Sequence, residues 1–100
     1  MARKENTFQS ELIKEIKERF PGAIVLKNDS SYLQGIPDLT VLWKGFWAML
    51  ECKRESNAKH QANQDFYIKL AESMSFGRFI HPENKEEILD EMERSFKIRG

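Results

Sequence analysis

Phe8, Leu12, Ile16 and Phe20, joined by Ile13, recur at spacings of three and four residues, and Pro21-Gly22 follows. That period predicts a helix burying one face, stopped at the proline and glycine. Ala23 to Lys27 is a short, largely β-branched and apolar run and predicts a strand, after which Asn28 to Gly35 is a polar loop. Two further strand-like runs, Asp38 to Trp43 and Phe46 to Lys53, are separated only by Lys44-Gly45, which predicts a hairpin in which glycine suits a positive φ and lysine suits it poorly. Beyond a polar connector, the spacing predicts a helix from His60 to Ser75 with Phe66, Tyr67, Leu70, Ala71 and Met74 as its buried side, ended by Gly77. Arg78 to His81 predicts a fourth strand. Asn84, with Glu87 three residues on, predicts the start of a last helix carrying Ile88, Leu89, Met92 and Phe96 inward. The element order is αβββαβα, without repeats or linkers.

Length and composition narrow the picture. One hundred residues hold one domain around a single small core, and 40% hydrophobic with 32% charged residues describes a folded chain. No apolar stretch reaches the roughly eighteen residues of a membrane span, and the N-terminus lacks the apolar centre of a secretory signal. Cys52, the single cysteine, has no partner for an internal disulfide or a cysteine-based zinc site, so a cytoplasmic protein with no membrane association is expected. Sixteen basic residues balance sixteen acidic ones, a neutrality unlike that of most nucleic-acid binders. The distribution differs from the total: Lys27 to His60 carries five basic and four acidic residues, while Glu83 to Arg94 carries six acidic and two basic. A local basic surface is compatible with that segregation, with the acidic run as the solvated side of the last helix.

The hairpin sets the candidate chemistry. With Lys44-Gly45 as the turn, paired positions sum to eighty-nine, so Leu39, Val41 and Trp43 face Leu50, Ala48 and Phe46 on one apolar side. On the other side Thr40 meets Met49, and Asp38 lies opposite Glu51. Opposed side chains have Cβ atoms about 5 Å apart, and two carboxylates so placed repel unless a cation lies between them. Lys53, two residues past Glu51, shares that face. Two hard oxygen donors suit Mg²⁺, which takes one or two carboxylates and completes its shell with water and substrate phosphate, and a neighbouring lysine stabilises charge or orients the water. An acid-x-Lys triplet alone is common in a chain this charged, with a turn-capping Asp38 and a solvated strand face as the alternative; the register with Asp38 gives the triplet its weight.

Gly35-Ile36-Pro37-Asp38, then Glu51-Cys52-Lys53, then a helix containing Gln64, resembles the PD-(D/E)XK nucleases, and more narrowly their stand-alone virus-type replication-repair nuclease (VRR-NUC) domains of phages and bacteria. The resemblance spans nearly the whole chain. It implies an α/β fold with a restriction-endonuclease-like αβββαβ core, a mixed central sheet and an added C-terminal helix. It further implies that Asp38 and Glu51 hold Mg²⁺ (Mn²⁺ substituting), with the Cys52 carbonyl as a further ligand and Lys53 as the catalytic lysine. Such sites commonly add a glutamate from the first helix. Glu5 projects inside the apolar arc and Glu11 outside it, so Glu5 is the choice, although an Asn6–Gln9 capping pair would leave it just outside the helix. Gln64, with Gln61 as rival, corresponds to a glutamine following the acid-x-Lys strand, and Lys27 to a lysine in the strand before the loop.

Lys44, Arg54 and Lys59 are candidates for phosphate contacts. His60 and His81 lack metal-ligand spacing, and Cys52 alternates onto the apolar face as a buried small hydrophobe. The resemblance implies hydrolysis leaving a 5′-phosphate and a 3′-hydroxyl, with branched DNA, four-way junctions above all, as substrate. One site per small chain and two symmetric cuts per junction imply a homodimer. Trp47 with Phe46, the last helix, or the tail from Phe96 to Gly100 are its candidate surfaces.

Overall fold

The computed structural model describes residues 2–99, with side chains from Thr7 to Ile98. The seven elements come in the expected order: α1 (Ala2–Arg19), β1 (Ile24–Lys27), β2 (Leu39–Trp43), β3 (Phe46–Cys52), α2 (Ala62–Met74), β4 (Gly77–Ile80) and α3 (Lys85–Arg99). The strands form one sheet in the order β1-β2-β3-β4, antiparallel except for the parallel β3–β4 pair made possible by the α2 crossover. The β2–β3 register runs from Leu39 opposite Leu50 to Trp43 opposite Phe46, so the sum of eighty-nine holds along the hairpin. Its turn places Lys44 at φ 50° and Gly45 at φ 84°, both in the left-handed region that matches the twist of a two-residue hairpin.

Strand alternation gives the sheet two different faces. On the inner face, Leu39, Val41, Ala48, Leu50, Cys52 and Ile80 are wholly buried beneath Phe8, Leu12, Ile16 and Phe20 of the first helical segment and Ile88, Leu89, Met92 and Phe96 of α3. Phe96 closes this core near the hairpin turn, stacked on Phe46 at 5.4 Å and Trp43 at 6.1 Å and edge-on to Phe20 at 5.7 Å. The acidic run of α3 is not simply solvated. Asp90, Glu93 and Glu86 take the Arg19 guanidinium, Lys85 pairs with Glu15, and Glu91 pairs with Arg78, tying α3 to α1 and β4.

Among the described helices, α2 is the one that packs on the outer face, against β3 and β4. Its close approach depends on Gly77: a Cβ there would sit 2.5 Å from the Ile68 carbonyl oxygen and 2.9 Å from the Glu72 nitrogen. The buried side of α2 agrees with the one expected at Ala71 and differs from it elsewhere. Ile68 and Ala71 are buried, whereas Phe66, Leu70 and Met74 are 58%, 41% and 60% exposed. The helix has two apolar arcs, and the glycine-lined approach selects the arc through Ile68 and Ala71 to meet the sheet, turning the other sideways.

Candidate active site

β2 and β3 deliver Asp38 and Glu51 to one end of the outer face. Asp38 lies one residue before β2 and Glu51 is the penultimate residue of β3, so the register opposes them one step beyond the last ladder pair. Each acid holds the backbone beside the other: Asp38 N donates to Glu51 Oε1 at 3.1 Å, and Cys52 N donates to Asp38 Oδ2 at 2.9 Å. Amide dipoles therefore face both carboxylates, which lowers the cost of holding two acids together. Glu51 is only 4% exposed.

The first turn of α2 completes the arrangement. Gln64 Nε2 donates to Glu51 Oε2 at 2.9 Å, while Gln64 Oε1 accepts from Lys53 Nζ at 2.8 Å and from Gln61 N at 3.1 Å. The amide orientation follows, since only its oxygen can face an ammonium and only its nitrogen a carboxylate. Lys53 Nζ also donates to the Lys59 carbonyl at 3.1 Å and stands 3.8 Å from Glu51 Oε2 and 5.9 Å from the centre of the Phe79 ring. Gln64 thus sits between acid and lysine and bonds both. Gln61, its rival, is the exposed N-cap residue of α2 and does not reach the acids through its side chain.

Two neighbouring carboxylates, with the Cys52 carbonyl next in the chain, are a donor set of hard oxygens that fits Mg²⁺. A carboxylate has about four acceptor sites, so the amide contacts do not exhaust the pair. Among the described residues no group of three or more His, Cys, Asp or Glu gathers around a common point.

A solved structure described as a VRR_NUC domain matches over 87% of this chain and 95% of its own length, with a TM-score of 0.64 and 23% sequence identity. The chain shares its fold with that domain. No protein-family model and no curated protein matches the sequence. The likeness is one of fold, a four-stranded mixed sheet with helices packed on it.

The remaining sequence candidates fall in different places. The Glu5 side chain lies outside the described residues, although α1 extends back to Ala2, so Asn6 is inside the helix and does not cap it. Glu11 is exposed and near enough to Lys85 to help hold that ammonium charged, after the larger effect of the Glu15 hydrogen bond; it faces α3. Arg54 and Lys59 are exposed in the connector that runs past the acids. Lys44 does not cluster with them. It sits at the hairpin turn with its ammonium 4.8 Å over the Trp43 ring, about 20 Å of strand from Asp38. Lys27 pairs with Leu39, so alternation sets its Cβ on the opposite face from Glu51. His60 stacks on Phe79 at 3.8 Å and meets Asp65, and His81 meets Glu83; neither joins the acids. Cys52 is wholly buried in the core.

Sequence reasoning missed Asn28. Its amide donates to the Pro37 carbonyl and to Thr40 Oγ1, both at 2.8 Å, and its backbone N–H donates to the Asp38 carbonyl at 2.8 Å. Gly35 completes the support: at φ 89° it passes so close to α2 that a Cβ would lie 2.6 Å from the Asn63 side chain. No motif flags Asn28, because its partners lie nine to twelve residues away and meet it only across the β1–β2 ladder.

No helix among the described residues is long and apolar enough to cross a membrane.

Proposed function

We propose that this protein is a Mg²⁺-dependent, structure-selective DNA endonuclease of the PD-(D/E)XK superfamily, which resolves four-way junctions as a homodimer. The observation that carries the reading is the continuous network from Asp38 through Glu51 and Gln64 to Lys53, built at the end of the hairpin with each bonded pair 13 residues apart in sequence or fewer. Asp38, Glu51 and the Cys52 carbonyl would hold the ion, with Glu5 as a further ligand from α1. Mg²⁺, or Mn²⁺ in its place, would polarise the phosphodiester and make water a better nucleophile at neutral pH.

The chain's own residues do the rest. Gln64 bonds both partners and holds Lys53 3.8 Å from Glu51, so the ammonium does not close onto the acid as a direct hydrogen-bonded pair. Two of the three Lys53 N–H donors are directed at Gln64 and Lys59, which aims the ammonium along the acids, where it orients the attacking water and offsets charge developing on the phosphoryl oxygens. In-line attack then leaves a 5′-phosphate and a 3′-hydroxyl. Arg54 and Lys59 flank the approach and position phosphate. The compartment this implies is the cytoplasm of a bacterial or phage-infected cell, where reducing conditions keep Cys52 a thiol.

The test incubates the purified chain with a labelled four-way junction and with linear duplex of matched sequence, in Mg²⁺ or EDTA, beside Asp38→Ala and Lys53→Ala. The expected result is metal-dependent cutting of the junction by wild type, reduced at least about 10²-fold in each variant. Absence of cutting on every substrate leaves a DNA-binding protein of the same fold and overturns the enzyme reading. Equal cutting of linear duplex overturns junction selectivity, and variants as active as wild type overturn the site.

A further inference from the structure

The outer face of the sheet is only half covered. α2 lies over β3 and β4, and beside it the outward residues of β1 and β2 stand open: Ile24 is 56%, Leu26 46% and Leu42 39% exposed. On α2, Phe66, Leu70 and Met74 are exposed, Leu70 and Met74 on the flank that lines a cavity with the sheet. This cavity, of about 190 Å³, is lined by Leu70 and Met74 together with Ile36, Trp47, Met49 and Tyr67. Six such side chains, each leaving on the order of 100 Å², present roughly 600 Å² of apolar surface, the upper end of what a soluble monomer shows. With the cavity walls the face approaches the roughly 800 Å² per partner of a standard stable interface.

We infer that this face is where a second copy of the chain docks, the α2 ridge of each protomer lying on the β1–β2 floor of the other about a two-fold axis. Three observations select a second copy. Ridge and floor lie side by side on one molecule, so a two-fold rotation brings each against its complement. Their lengths agree, since Phe66 to Met74 spans about 12 Å of helix and β2 about 13 Å of strand. None of the ridge, floor or cavity-wall residues named is charged, so apposing identical patches brings no like charges together and offers nothing to phosphate. Of the other candidate surfaces, Phe46 stacks on Phe96 and Ile88, Leu89, Met92 and Phe96 fill the core, while the tail offers the exposed Ile98 alone among its described apolar residues. Trp47 is the member of the expected set that remains on the open face. Met49 and Thr40 separate this floor from Glu51 and Asp38 by one alternation, so the interface adjoins the candidate active site. The inference names the surface of the proposed homodimer and does not require catalysis.

The experiment is sedimentation equilibrium of the full chain at micromolar concentrations, for wild type, Asp38→Asn, Leu70→Glu, Ile24→Glu and the control Ile98→Glu, whose side chain is 81% exposed on α3. The substituted positions are exposed, and circular dichroism verifies each fold; Leu70→Ser serves as a milder second variant should the glutamate unfold the chain. Wild type, Asp38→Asn and Ile98→Glu are expected at twice the chain mass, with dimer dissociation at least 100-fold weaker in Leu70→Glu and Ile24→Glu. A monomeric wild type, or dimers indifferent to both glutamates, overturns the inference, as does loss of the dimer in Ile98→Glu. Wild-type mass rising only on added phosphatidylcholine/phosphatidylglycerol vesicles would also overturn it, by assigning the face to lipid. Because Asp38→Asn pairs like wild type on this view, failure here is separable from failure of the nuclease reading.

Discussion

Lys53 stands 3.8 Å from Glu51, yet its closer partner is the Gln64 amide at 2.8 Å, and that interposition is the most informative single contact in the molecule. Gln64→Leu removes both bonds, leaving a buried acid beside a lysine free to pair with it. Its expected outcome is a cleavage rate reduced about 10–100-fold with the fold retained, measured under single-turnover conditions in saturating Mg²⁺. Gly35 is fixed by backbone geometry as well as space, being at φ 89° and against Asn63. Gly35→Ala is expected to lower stability by about 2 kcal/mol or more in urea titration. Lys44 makes the opposite case: at φ 50° in the hairpin turn it occupies a conformation that asparagine accepts better. Lys44→Asn should raise stability by about 0.5 kcal/mol, part of the turn gain being offset by loss of the Trp43 contact. At this scale Asp38, Glu51 and Lys53 were legible in the sequence because a two-residue turn fixes the register arithmetically. Asn28 was not, because its role depends on the β1–β2 pairing, joined by a long loop that specifies no register.

At the scale of elements, period and punctuation located every helix and strand, and the differences concern faces. Of the α2 side chosen from the sequence, Ala71 is buried and Tyr67 half-buried, but Phe66, Leu70 and Met74 are exposed, since helical periodicity identifies arcs and only the packing partner decides which is buried. α3 shows a related effect. Its acids meet Arg19 and Lys85, so the segregation of charge along the chain becomes a clasp between the first and last helices. The Glu93 carboxyl is held below the ordinary carboxylate range, chiefly by the hydrogen bond from Lys97, with Arg19 adding attraction. A carboxyl lowered on folding stabilises the fold above its unfolded value of about 4.3 and ceases to do so as the pH falls through the lowered folded value. Thermal melts should therefore show a loss between neutral and strongly acidic pH that is smaller in Glu93→Gln, and smaller for both proteins at high salt because the group is near the surface.

The whole molecule is a small domain whose stability should be of order 5–15 kcal/mol, so single core positions matter. Phe96, wholly buried and in contact with three other rings, joins α3 to the hairpin turn and to the end of α1. Phe96→Ala is expected to cost about 3–5 kcal/mol in denaturant unfolding, a large share of the total. The neutral net charge also takes its meaning at this scale: the balance of sixteen against sixteen is spatially sorted, with acids of α3 neutralised across the inner helices and Arg54 and Lys59 left exposed by the carboxylates. By itself the sequence determined the element order, the hairpin register and hence the meeting of Asp38 with Glu51, because these follow from local periodicity and a two-residue turn. Only the tertiary structure decided that Gln64 bridges acid and lysine, that Asn28 holds Asp38, that Lys44 is remote and that α2 leaves half a sheet face open. Those depend on how helices and strands far apart in the chain approach one another, which is set by close packing at positions such as Gly77 and Gly35 and by no local pattern.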